Sequence, residues 1–368
     1  MQTGMWQPQE MLRYAQHDNG SVYRCRPGCG NRGRCFATLS MTMTQHDKRG
    51  ENVRLVSLLA SATEMIAELG CLDQLVGRSH ECDYPPEVLS LPVVSKVEID
   101  IDTSSAEIDA QVKQLAQGKR TLDEAALKAL SIYVIDIERL QTLRPDVIFT
   151  QTQCEVCAVS ERDVVQAIQH LTGLQPRVVS LTPYRLDDVW EDVVRVGKVL
   201  GRQERADMLV NGYRQRLKHL AAVTATFGNG PRVAILEWLD PLMGAGNWAP
   251  ELVVAAGGEP AFGEIGQYSP WLSWDELQAA DPDVLVLAPC GYTLERTMVD
   301  VPILQRHPAW QSLRAVQNKR VYAIDGNAYL HRSGPRLVES AELLGRVLWG
   351  EELGIEVDTE AWKHVQLR

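Results

Sequence analysis

The sequence has no run approaching the ~18 consecutive apolar residues that a membrane-crossing helix needs. It also lacks an excess of positive charge. Lys and Arg number 37 against 48 Asp and Glu, a formal net charge of −11. That balance leaves no basic footprint for nucleic acid. No apolar h-region of a secretory signal is visible. Common catalytic signatures are missing too: there is no G-x-S-x-G elbow, no P-loop and no H-E-x-x-H pair. Ser, His and acidic residues occur, but no spacing links them, so neither an enzyme nor a catalytic cofactor is expected. The eight cysteines are too few for a disulfide framework in a 368-residue chain.

What is present is a chain of 45% hydrophobic residues, long enough for two or three domains with real cores. Residues 1–52 read as a disordered or misassigned leader, without helical or strand periodicity. Met41 and Met43 are alternative starts. Cys25, Cys29 and Cys35 lie in this stretch, but no fourth ligand has zinc-site spacing.

Ordered patterning begins at Val53. Val53–Leu59 is a β-rich run, and Ser61-Ala-Thr-Glu64 reads as a capping box opening a helix that Gly70 stops. Strands are expected at 74–77, 146–150, 177–181, 232–237, 283–288 and 320–324, alternating with helical stretches, including 104–130. Such alternation argues for βαβ units and parallel sheet. Leu186, Val189, Val193, Val196 and Leu200 form a helical stripe. A second helix over 203–226 would be about 36 Å long, a natural strut between two lobes. Residues 334–349 form a closing helix.

An internal repeat supports two similar lobes. Glu138-Arg-Leu-Gln-Thr-Leu-Arg-Pro-Asp-Val-Ile148 parallels Asp275-Glu-Leu-Gln-Ala-Ala-Asp-Pro-Asp-Val-Leu285 at an offset of 137 residues. The resulting organisation is an N-terminal α/β lobe at 53–183, a helical connector at 184–228, a C-terminal α/β lobe at 229–350 and a tail at 351–368.

Seven segments, in order, carry a resemblance. They are Ser57–Glu64, Asp83-Tyr-Pro-Pro86, Glu138-Arg-Leu with Pro145-Asp-Val-Ile148, Pro250-Glu-Leu with Ala256-Gly-Gly258, Ser269-Pro-Trp271, Asp281-Pro-Asp-Val284, and Ser333-Gly-Pro-Arg-Leu337. Together they resemble the class III periplasmic-binding family of iron-siderophore and B12 binding proteins, and within it the cobalamin-binding proteins of ABC importers. The resemblance implies two Rossmann-like α/β lobes with parallel sheets joined by a long rigid helix. It implies a monomer, a periplasmic location, cobalamin as bound ligand in the interlobe cleft, and a permease partner met by one acidic residue per lobe. Glu138 and Asp275 occupy equivalent places in the repeat and are the expected docking pair, with Glu276 as an alternative to Asp275.

Ligands of open α/β sheets bind at the carboxyl ends of the strands. The loops there carry His80, Glu81, Cys82, Tyr84, Gln153, Cys154 and Cys157 in the first lobe, and Cys290 and Tyr292 in the second. Trp248, Tyr268, Trp271 and Trp274 lie in other second-lobe loops. Tyr and Trp suit a large flat ligand, since they offer broad contact area with a polar edge. His80, Glu81, Cys82, Tyr84, Gln153, Cys154, Trp248, Tyr268 and Trp271 are therefore candidate ligand contacts. Trp190, Trp310, Trp349 and Trp362 sit in helical patterns and are expected to pack.

The sequence departs from the family in two further places. An insertion of about 30 residues falls around 100–130, and His80-Glu-Cys82 and Cys154-Glu-Val-Cys157 stand in the cleft loops. His80, Cys82, Cys154 and Cys157 could furnish four ligands for zinc or another thiophilic metal. A Cys154–Cys157 disulfide, direct contact with the ligand, and ordinary loop residues are the other readings. A haem or siderophore ligand, and a metal- or redox-handling role for the Cys/His loops, are the alternative functions.

Overall fold

A computed structural model describes residues 53–96, 100–117, 134–151, 168–169 and 172–366. The expectations for the leader, and for Gln153, Cys154 and Cys157, lie outside the described residues.

Short runs of β-branched and aliphatic residues build two sheets. The first consists of β1 (Leu55–Ser57), β2 (Leu75–Arg78), β5 (Val147–Gln151) and β6 (Arg177–Leu181), in the order β2-β1-β5-β6 and all parallel. At its edge β3 (Ser95–Lys96) pairs antiparallel with β4 (Val134–Ile135). The second sheet takes β7 (Arg232–Leu239), β8 (Leu242–Gly244), β9 (Glu259–Pro260), β10 (Val284–Leu287), β11 (Val321–Ile324) and β12 (Trp362–His364). Its order is β12-β11-β10-β7-β8, with β9 also on β7 and the central three strands parallel. The tail expected at 351–368 is thus partly structural, because β12 pairs antiparallel with β11 and completes the sheet.

The described helices are α1 (Ala60–Glu68), α2 (Ser105–Gln117), α3 (Ile137–Leu143), α4 (Leu186–Val199), α5 (Gln203–Thr224), α6 (Ala249–Ala255), α7 (Trp274–Ala280), α8 (Leu294–Gln305), α9 (Arg314–Gln317) and α10 (Leu337–Trp349). Helix α1 starts one residue before the expected capping box, and Leu59 before it makes no side-chain cap. Glu64 is used elsewhere.

The internal repeat is a repeat of backbone devices. Helices α3 and α7 each have seven residues and each ends on a left-handed residue, Arg144 and Asp281. Both then meet Pro-Asp. Asp146 accepts from the Arg54 N–H at 2.8 Å, and Asp283 accepts from the Arg232 N–H at 2.9 Å. In each lobe the aspartate thus caps the neighbouring strand at its first residues, where a backbone donor would otherwise lack a ladder partner.

The side chains of central strands alternate between two layers, as the pleat requires. Leu55 and Phe149 face one core while Val56 and Ile148 face another. Val284 and Val286 face the first core, and Leu285 and Leu287 a third. The first core does not stop at the lobe boundary. It runs from Leu55, Met65 and Phe149 through Trp190, Val193 and Tyr213 to Val233, Leu252 and Leu344. Helix α4 is thus part of the filling between the two sheets, and α5, exposed along one face, joins the lobes through its buried face as the expected strut. Gly197 on α4 lets α5 approach, since a Cβ there would meet the Ala206 Cβ at 2.5 Å. Each fully buried Val or Leu along α4 contributes roughly 1.5–3 kcal/mol. Polar ties fix the packing. Tyr213 donates to Glu68 at 2.6 Å, and Arg216 grips Glu342 with two bonds of 3.0 and 2.6 Å. Gly50–Arg368 consequently clusters as one compact unit. Trp190 and Trp310 are buried as expected. Trp349 stacks on Phe227 at 4.9 Å, and Trp362 packs on Tyr322.

Asp192 on α4 is 3% exposed, and its Oδ2 has no hydrogen-bond partner among the described residues. Burial pushes its carboxyl up to about 7; Arg195 opposes the shift, and Asp188 and Glu191 add to it. A carboxyl raised in the folded state holds a proton that the unfolded chain has lost between pH ~4 and ~7. Stability therefore falls as pH rises through that window. Asp192→Asn is expected to flatten this profile and to gain on the order of 2–4 kcal/mol above pH 7. Urea melts of both proteins at pH 5 and pH 8 check it; parallel profiles would contradict it.

Candidate functional site

The carboxyl ends of both parallel sheets open toward one boundary between the lobes. Loop 79–86 follows β2, loop 182–185 follows β6, loop 288–293 follows β10 and segment 325–336 follows β11. Five of the seven family-like segments meet here or brace it, and their roles are now readable.

At the base of the boundary the second lobe inserts two arginines. Arg332 Nη1 lies 3.1 Å from Glu64 Oε1 and 2.6 Å from Asp83 Oδ1, and its Nη2 donates to Asp83 Oδ2 at 2.9 Å. Arg336 donates to both oxygens of Glu64, at 3.0 and 2.5 Å. Asn327 completes the cluster by donating to Asp83 and accepting from Arg332. Glu64 is 2% exposed and Arg332 9%. Burial opposes the charge on Arg332, but the Asp83 and Glu64 carboxylates outweigh it and hold its pKa above the usual arginine range. Burial likewise works against the Asp83 carboxylate, and Arg332 outweighs it and keeps its pKa low. Tyr84 does not simply await a ligand: its ring lies under Arg336, 4.4 Å from the guanidinium carbon.

The loop presenting Arg332 is held by unusual geometry. Leu330 is fully buried with φ 63°, a left-handed conformation that bulky residues rarely adopt. Its carbonyl accepts from Trp248 Nε1 at 2.7 Å, and its N–H donates to Ser340. Trp248 is 6% exposed. The expected ligand contact at Trp248 is therefore corrected: its ring is core, and its one donor is spent on fixing the loop that presents Arg332, which with its carboxylate partners forms a latch between the lobes. Glu251, from the same Pro-Glu-Leu segment, accepts from the first N–H of α4 at 2.7 Å and ties α6 to it.

Above the latch the boundary is polar and acidic. Glu237 on β7 accepts from Ser269 at 2.6 Å, and His331 Nδ1 lies 3.7 Å away. Cys290 is open to solvent, yet protein flanks it as in a cleft. The surrounding protein raises its thiol above the usual range, and the charges of Glu237 in one lobe and Glu81 in the other add to the shift. His80 Nδ1 is 2.8 Å from Ser95, and its Nε2 is 3.2 Å from Glu81. Cys82 is turned inward, fully buried, with Sγ 3.8 Å from the Ser57 carbonyl. That corrects its assignment as a ligand contact or accessible metal ligand. Among the described residues no group of three or more His, Cys, Asp or Glu is placed to hold a metal. Tyr292 is buried against Trp238.

Aromatic residues form one flank. Tyr184 and Tyr268 meet across the lobes, hydroxyl to hydroxyl at 3.2 Å and edge to face at 5.7 Å. Trp271 is 54% exposed, with Lys113 Nζ 5.1 Å above its ring. Tyr268 and Trp271 also line a pocket of about 730 Å³ with Phe262, Pro270, Arg232 and Glu276, all from the second lobe. Pockets of this volume commonly hold small molecules. Trp274 is not part of it; it stacks on His307 at 3.9 Å. Tyr184 was not singled out from the sequence, although a Pro-Tyr pair just after a strand end is the kind of signal that could have found it.

A family model described as periplasmic binding protein matches residues 55–328. The chain belongs to the periplasmic binding protein family. The vitamin B12-binding protein of Vibrio cholerae is 23% identical over 293 residues, 78% of this chain and 86% of that one. Among solved structures, a periplasmic heme-binding protein from Pseudomonas aeruginosa superposes with a TM-score of 0.59 at 20% identity, covering 81% of this chain and 92% of that one. The periplasmic vitamin B12-binding protein of Vibrio cholerae gives 0.55 at 22% identity, covering 82% and 96%. The expected architecture of two α/β lobes with parallel sheets is the fold of these structures.

The docking candidates Glu138 and Asp275 are the second residues of α3 and α7, and both are exposed. Glu276 is already committed to its helix cap, where its carboxylate accepts from Ser273 N–H and Oγ at 2.7 Å.

Arg332 generates a direct expectation. Removing one partner of a buried ion pair leaves an uncompensated charge, at about 3–5 kcal/mol. Arg332→Met should lower unfolding free energy by that amount in urea melts. A loss under about 1 kcal/mol, as for an exposed pair, would mean the latch is not buried in solution.

Proposed function

We propose that this protein captures cobalamin or a related corrinoid between its lobes and delivers it to an ABC importer. The observation that carries the reading is the charge of the lobe boundary. At its base the two arginines inserted by the second lobe, Arg332 and Arg336, are committed to Glu64 and Asp83, while Glu81 and Glu237 place carboxylates around Cys290. An anionic ferric chelate, or heme with its two propionates, would meet negative charge there. A corrinoid, neutral or cationic at its metal-bearing ring, would not. Tyr268 and Trp271 supply aromatic contact area, and His80 and Glu81 supply polar contacts from the first lobe. The Vibrio cholerae relative named for vitamin B12 binding supports the same choice. Gln153 and Cys154 remain proposed contacts outside the described residues.

The family resemblance adds a delivery step. Glu138 and Asp275 project from equivalent helix starts, one per lobe, and suit a permease that presents two arginines.

Two expectations follow from this reading. Titration with cyanocobalamin should show one-to-one binding by calorimetry, and Trp271→Ala should weaken it by about 1–3 kcal/mol. Binding of hemin with no binding of cyanocobalamin would transfer the function to heme, and binding of neither would refute capture of a macrocycle. In cells, Glu138→Arg with Asp275→Arg should cut corrinoid uptake by at least about tenfold, because like charges now face each other, with affinity within about twofold of the parent. Normal uptake by the double variant would leave both residues as helix N-terminal charges only.

A further inference from the structure

Residues 100–117, the described part of the insertion expected around 100–130, belong to the first lobe by connection and to the second by contact. The chain leaves at β3 and returns at β4, and these strands pair side by side. Both are anchored on the first sheet's edge: Val94 N–H donates to Arg78 O, and Asp136 N–H donates to Val94 O. Between them, the described part of the excursion lands on the other lobe. Trp238 Nε1 of β7 donates to Ser105 O at 3.2 Å. Arg296 Nη2 of α8 donates to Thr103 O at 2.5 Å. Asp300 of α8, paired with Arg296 at 3.3 Å, lies by the Ser105 backbone N–H at the positive start of α2. Lys113, two turns on, sits over Trp271. Ser105 is fully buried by this docking and Ile108 is 6% exposed, while Ala106, Glu107 and Val112 face solvent.

We infer that residues 100–114 form a cap carried by the first lobe and docked on the second, which governs which ligands reach the cleft and how fast. Two facts favour this over a fixed brace. The docked face is small and largely polar, with one buried aliphatic side chain, Ile108, against the continuous apolar core that joins the lobes behind it. Segments so held open at a fraction of the global unfolding free energy. The cap also touches side chains a flat ligand would use. Trp238 donates to Ser105 O and packs edge to face on Tyr292 at 5.3 Å, Arg296 stacks on Tyr292 at 5.0 Å, and Lys113 lies over the half-exposed Trp271 ring. Undocking α2 frees the Trp238 indole N–H and lifts Lys113 off Trp271, so the cap sets how much of the aromatic flank is open. The assignment rests on the cleft being the ligand site, as proposed above.

Its test has one arm that needs no ligand. Amide hydrogen exchange of the full chain should show 105–114 exchanging well before β1, β5, β7 and β10. Asp300→Asn, and separately Trp238→Phe, should speed that exchange by at least about tenfold with the core strands unchanged. Exchange of α2 only together with the core would overturn the cap. In the second arm, Asp300→Asn, which loosens the cap, should bind cyanocobalamin at least about tenfold faster than the parent in stopped-flow absorbance. Equal rates in the two proteins would overturn the cap as well. Should the unmodified protein bind neither cyanocobalamin nor hemin, the proposed function fails, and the exchange arm still decides the cap.

Discussion

One carboxylate, that of Glu64, organises the relation between the two halves of this protein. It is buried in the first lobe, where an ionised acid without partners would be costly. Two arginines from the second lobe, Arg332 and Arg336, supply the partners. Asp83 and Asn327 finish the cluster, so neither charge is left half-satisfied. The energetic sign of such a cluster is asymmetric. It adds little beyond what apolar packing would, yet it is expensive to break. Its consequence is therefore geometric: the lobes have one low-energy arrangement. The cost is met locally by Leu330, held in a left-handed conformation by Trp248 and Ser340.

The shared core works in the same direction. Helix α4 and the buried face of α5 belong to one apolar cluster that runs from the first sheet to the second without a break. A hinge between the lobes would have to open that core, exposing apolar area at roughly 25 cal/mol per Å². Binding by large closure, as in lobes joined by flexible strands, is thus disfavoured. Ligand access has to come from smaller elements at the rim, and the segment carrying α2 is one described element there that contacts the opposite lobe.

Much of the fold was legible in the sequence because it rests on local signals. Alternating strand and helix patterns located the sheets, and the Pro-Asp repeat located two equivalent helix-to-strand turns. The turn chemistry behind it, Asp146 and Asp283 capping a neighbouring strand, is the same in both lobes. The ordered short segments identified the family, but not the work each residue does. Ser61–Glu64 looks like a capping box within four residues, whereas Glu64 points to partners 268 and 272 positions away. Trp248 sits in a glycine-rich loop that reads as exposed, yet its ring is buried under a loop 82 residues later. Cys82 follows His80 by two positions, and the turn between them sends one to the boundary and the other inward. Long-range partners of this kind leave no periodic trace.

The central claim is that the lobes are held in one arrangement by the buried cluster and the shared core, with ligand bound between them and no closure. Spin labels at positions 138 and 275, one exposed helix start in each lobe, report it directly by pulsed electron-electron distance measurement. The account predicts a single narrow distance distribution that shifts by no more than about 1 Å on saturation with cyanocobalamin, and that broadens when Arg332 is replaced by Met. A shift of several ångströms on adding ligand to the parent protein, or a broad distribution without it, would contradict the account.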